Sequence, residues 1–125
     1  MNVQLEDRIV AFSARCVKVC GVLSPKLPGT YSLSDQLFRS STSVAANYAE
    51  AAEAESSKDF VHKLKVAIKE LSETRVWLKI IGETGYLDKS KLEDLVAEAV
   101  ELTRILSASI ITARRNAVTK AQANQ

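Results

Sequence analysis

The chain has 125 residues, which suits one domain with a buried core. Its 46% hydrophobic and 26% charged content excludes disorder, and its four glycines and two prolines, set against abundant Ala, Leu, Lys and Glu, point to an all-helical protein. A net charge of +2 is too small to single out nucleic acid or a membrane as a partner.

Apolar residues recur at alternating steps of four and three in four segments, the spacing that puts them on one helix face. The first seam is Leu5, Ile9, Phe12, Cys16, Val19 and Leu23. Its N-terminal stretch carries Glu6 and Asp7 where an export signal carries bases, so no such signal is expected. Cys16 and Cys20 stand four apart on the same helix, a poor geometry for a disulfide, and predict reduced thiols in a cytoplasmic protein. The segment stops at Pro25 and Pro28-Gly29, which exclude helix and permit a turn.

The second seam is Leu33, Leu37, Ser41, Val44, Tyr48 and Ala51, with Ser32 or Ser34 expected as N-cap. This segment is rich in small residues, Ala45, Ala46, Ala49, Ala51, Ala52 and Ala54, which let another helix approach closely. The third seam is Phe60, Leu64, Ala67, Leu71, Thr74, Leu78 and Ile81. Ser56 lies three before Asp59, a start resembling a capping box, and the glycines at 82 and 85 mark the end. Val61 and Ile68 fall off the main seam, and such a wide apolar arc is expected to serve a subunit interface.

The fourth seam is Leu92, Leu95, Ala99, Leu102, Leu106, Ser109 and Ala113, capped by Asp88 or by Ser90 with Glu93. Short connections between near-parallel helices predict an up-down-up-down antiparallel four-helix bundle over residues 1–117. Residues 118–125 lose the pattern and are expected to fray. No apolar run approaches the roughly 20 residues of a membrane span.

Polar residues lie beside the seams as well as opposite them. Arg39, Ser43, Asn47 and Glu50 form a ladder along one edge of the second helix, and Lys63, Glu70, Glu73 and Trp77 occupy one flank of the third. Groups placed there are costly unless each finds a partner. Salt bridges from Glu50, Glu70 and Glu73 to Arg39, Lys63 and Lys69 are the expected pairing, and Asn47 is expected to tie two helices together. The Trp77 ring is expected in packing, with its N–H donating to a neighbour.

Enzyme chemistry finds little support. Helical bundles that hold two metals need two Glu-x-x-His pairs, and this chain has one histidine, His62, so neither metal nor cofactor is expected. No nucleophile with an activating base and no glycine-rich phosphate loop marks a catalytic centre. Lys58, His62, Lys65 and Lys69 form a 4-3-4 row opposite the third seam, and Arg114 and Arg115 lie in a C-terminal stretch with no acid after Glu101. These six are the candidate nucleic-acid contacts, with a solvated helix face as the simpler alternative.

The same residues carry a family resemblance. Leu37, Arg39, Ser40, Ser43, Ala46, Asn47, Glu50 and Ala51 match the pattern LxRSxxSxxANxxEA. The block Ser57, Lys58, Asp59, Phe60, Lys63, Leu64, then Lys69, Glu70, Glu73, Thr74, Trp77 and Leu78 follows in order. Together they resemble the four helix bundle proteins, also called the 23S rRNA intervening-sequence protein family, over roughly Leu5 to Ala113. Ala45 stands where the family often has glycine, and Ala51, Ala52 and Ala54 replace a more variable stretch.

The resemblance implies a bundle that assembles into a ring-like homopentamer. Some members are encoded within intervening sequences of 23S rRNA genes. A related group, strongly basic, serves diversity-generating retroelements and binds nucleic acid and a reverse transcriptase. The expectation is therefore a non-enzymatic, self-associating helical scaffold touching RNA or DNA. The alternative is a protein-binding adaptor with no nucleic-acid contact.

Overall fold

The computed structural model describes residues 3–124. Its four helices are α1 (Val3–Val22), α2 (Thr30–Ala52), α3 (Ser57–Thr84) and α4 (Ser90–Ala123). The 4-3 seams become the core: Ile9, Phe12, Cys16 and Leu23 from α1 and its end meet Leu37, Val44 and Tyr48 from α2. Leu64, Leu71, Leu78 and Ile81 from α3 and Leu92, Leu95, Leu102 and Leu106 from α4 complete it. Each large side chain so buried contributes about 1.5–3 kcal/mol, which is why the seam spacing dictates the fold.

Cross-helix bonds set the directions. Ser13 donates to the Ser41 carbonyl at 2.7 Å and Cys20 to that of Ser34 at 3.3 Å, so α2 runs back along α1. Lys63 bonds Glu50 at 2.7 Å and Thr74 meets Ser40 at 2.8 Å, so α3 runs back along α2. Among the described residues α1 touches α2 and α4 but not α3, which places α1 and α3 on a diagonal. A two-pronged pair, Arg8 Nε and Nη2 to the Glu98 carboxylate at 2.8 and 2.7 Å, joins α1 to α4.

Several expectations change. Val61 is buried and Ile68 packs partly buried against the core, so both residues contribute to this chain's own core. α2 begins at Thr30, ahead of Ser32 and Ser34, because Gly29 takes φ 79° and turns the chain there. The buried Thr30 hydroxyl then lies 2.9 and 2.7 Å from the carbonyls of Ser24 and Leu27. At α4 the Asp88 carboxylate accepts from the Ser90 N–H and hydroxyl, so Ser90 and Glu93 form no capping box. The helical conformation extends through Ala123, beyond the apolar pattern, with residues 118–124 exposed. Gln125, the last residue of that expected tail, lies outside the described residues, as do Met1 and Asn2.

Other expectations hold. Ser56 caps α3 by accepting the Asp59 N–H at 3.0 Å, and Gly85 closes that helix at φ 73°. Both cysteines are free thiols, and burial pushes the Cys16 thiol up to about 12, so it stays protonated.

Candidate functional site

The polar ladder lies along the α2–α3 edge. Lys63 and Glu50 form an ion pair within it at 2.7 Å, both side chains partly exposed. Arg39 donates to Gln36 at 2.8 Å, one turn away on its own helix, rather than to Glu50 or Glu73. Asn47 likewise donates to the Ser43 carbonyl at 2.9 Å within α2, so it is not the inter-helix tie expected of it. A side-chain amide can reach the carbonyl four residues back more readily than a partner across a helix gap.

Glu70 carries the clearest electrostatic signature of the ladder. Its carboxyl is raised above the ordinary range, first by burial, then by the nearby charge of Glu73 and a hydrogen bond to it. Lys69 and Arg39 pull in the opposite direction without prevailing. Trp77 packs half-buried against the core, and its indole N–H is buried with no acceptor among the described residues, contrary to expectation. The crowded carboxyls and the unbonded indole N–H thus share one flank of α3.

The ties that hold the helices in register are shorter side chains. Ser13, Ser40, Ser41 and Thr74 are buried hydroxyls. Thr74 Oγ1 lies 2.8 Å from both Ser40 Oγ and the Glu70 carbonyl. Their sequence signal was polar residues inside the seams at 41 and 74, not the ladder beside them.

The row read from the spacing is exposed along its length. Lys58, His62, Lys65 and Lys69 are all exposed on the outer face of α3. Asp59 is the only acid between residues 58 and 69. Phe60 lines one groove with Ile105, Ser109, Ala113 and Asn116, so the end of α4 lies beside the start of α3. Exposed Arg114 and Arg115 therefore share an end of the bundle with Lys58 and His62. Exposed Arg104 lies apart from them, in a groove shared with Arg15 of α1 and with Asp94, Glu98 and Glu101, and it pairs with Glu101 at 3.2 Å.

A second surface escaped the sequence reading. Tyr31 (83% exposed) and Phe38 (48%) stand seven apart on α2, followed at the same step by Ala45 and Ala52. Val10 (50% exposed) and half-buried Val17 flank Ser13, the α1 residue that meets α2. An uncovered apolar strip thus borders the α1–α2 seam. The step of seven among Tyr31, Phe38 and Ala45 was its signal, masked by the stronger core seam.

Among the described residues no group of three His, Cys, Asp or Glu side chains is placed to hold a metal. Nor is any described helix long and apolar enough to cross a membrane.

The model of one protein family, the 23S rRNA-intervening sequence protein, matches residues 4–108. The solved structure of a protein of unknown function from the S23 ribosomal protein family of Bacteroides thetaiotaomicron VPI-5482 superposes with a TM-score of 0.77. The two are 31% identical, over 85% of this chain and 97% of the other. No curated protein matches the chain.

Proposed function

We propose that this chain, a member of the 23S rRNA-intervening sequence protein family, is a self-associating helical scaffold that holds nucleic acid on its α3–α4 surface. It performs no catalysis in this reading. The observation that carries it is the separation of two surfaces on one small bundle. The uncovered apolar strip borders α1 and α2, while the cationic row lies on α3, diagonal to α1. Copies joined through the first leave the second free, and each added copy multiplies the number of cations a polyanion meets. A ring of five is the assembly number the family resemblance implies.

The test has two arms. Light scattering in dilute solution should give a mass several times 13.7 kDa, and a clean monomer would remove the scaffold. Labelled RNA or DNA should be retained at low salt and released as salt rises, because phosphate contacts release counterions. Lys65→Glu with Lys69→Glu should abolish that retention. The apolar strip also supports a second reading, a protein-binding adaptor in which a different protein covers Tyr31 and Phe38. That reading gains if the chain is monomeric, co-purifies with one protein, and retains no nucleic acid.

A further inference from the structure

Resting on the nucleic-acid reading above, we infer that the α3–α4 surface grips the phosphate backbone of a duplex, independently of sequence, and does not stack the bases of a single strand. The placement of the aromatic residues carries this. Single-strand binders pair a cationic groove with rings on which successive bases lie. Here Phe12 and Tyr48 are buried in the core, and Phe60, Trp77 and Tyr86 are half-buried. Tyr86 also spends its hydroxyl on the Pro28 carbonyl at 3.0 Å. The two exposed aromatics, Tyr31 and Phe38, lie on α2, not on the α3 row. The only ring on the cationic row is the imidazole of His62.

Shape and charge density point the same way. Lys58 to Lys69 spans roughly 16 Å of straight helix at about 1.5 Å per residue. A duplex presents one negative charge per roughly 1.7 Å of its axis, about twice the density of one strand. It is already straight over that length. A single strand would have to be extended along the helix with no stacking to offset its lost freedom. The row of Lys58, His62, Lys65 and Lys69 holds no Asn, Gln or Arg, and lysines that meet phosphates carry no sequence information, so register along the duplex is not fixed by sequence. The shared chemistry of RNA and DNA duplexes is sufficient for this contact.

The full chain should be titrated with a hairpin-free oligonucleotide, its complementary duplex, and an unrelated duplex of equal length, each as RNA and as DNA. At matched salt the duplex should bind about tenfold more tightly than either of its strands, and the two duplexes alike within about threefold. Lys65→Ala should flatten the dependence of log affinity on log salt by about one unit, whereas His62→Ala should weaken binding less than about twofold. Equal or tighter binding of the single strand, or a fivefold or larger loss in His62→Ala, overturns the duplex inference and leaves the scaffold reading standing. Retention of no oligonucleotide at low salt overturns both. A preference between RNA and DNA duplexes identifies the source within a supported inference.

Discussion

Glu70 and Glu73 stand three residues apart on α3, with Glu70 partly shielded from water. Ionising Glu70 there requires a charge beside another carboxylate, so the folded chain holds its proton more tightly than the unfolded chain does. The stability this supplies is fully present below the unfolded value of 4.5 and is lost as pH rises toward the raised folded value. Glu70→Gln should therefore raise the melting temperature at pH 7 and leave it nearly unchanged at pH 4. Thermal unfolding of both proteins at the two pH values decides it; a lower melting temperature at pH 7 would mean that the Glu70 charge is paired in solution. Trp77 poses a related question, since its buried N–H has no acceptor among the described residues. An unmet buried donor costs about 1–3 kcal/mol. Trp77→Phe keeps most of the ring and removes the donor, so its melting temperature should equal or exceed that of the parent. A fall of about 4 °C or more, equivalent to roughly 1 kcal/mol, would show that the N–H finds an acceptor in the assembled protein.

Between elements, the hydroxyl chain linking α2 to α3 replaces the amide and carboxylate ties that the ladder suggested. Thr74→Val removes the donor 2.8 Å from the buried Ser40 Oγ, leaving that hydroxyl only its long 3.4 Å bond to the Leu37 carbonyl, and should cost about 1–2 kcal/mol by chemical denaturation. Ser40→Ala and Thr74→Val each break the same Thr74-to-Ser40 bond, so the double variant should cost less than the sum of the two single changes. Strict additivity would show that the hydroxyls act independently. The seams around them were legible in the sequence because burial enforces a period near 3.6, and Ile9, Leu37, Leu64 and Leu102 have no other stable place. Ser56 was legible too, since a hydroxyl three residues before a free N–H has one obvious use. The start of α2 was not, because Gly29 supplies a left-handed turn where a side-chain cap was sought. Ladder partners were illegible for a different reason: helical spacing aligns Asn47 and Arg39 on an edge, but only the rotation of α2 against α3 decides whether they look across or along.

At the scale of the whole molecule, the cationic row could be read from spacing, whereas the placing of Arg114 and Arg115 at the same end of the bundle required knowing that the end of α4 lies beside the start of α3. The apolar strip became visible only once the core had claimed its own residues. Two exposed surfaces with different chemistry predict that assembly and nucleic-acid binding can be separated by mutation. Phe38→Glu puts a charge into the apolar strip at an exposed position, so the fold should survive while light scattering reports smaller particles. Its affinity for a long duplex should fall because fewer rows engage one polyanion at once, while affinity for a duplex short enough to meet one row should stay the same. Lys65→Glu with Lys69→Glu should do the reverse: assembly unchanged, affinity lost for long and short duplexes alike. If Phe38→Glu instead weakens short-duplex binding as strongly as long, the apolar strip is part of the nucleic-acid surface and the two roles are one. If it changes neither mass nor affinity, the strip joins no copies and the assembly must use another face.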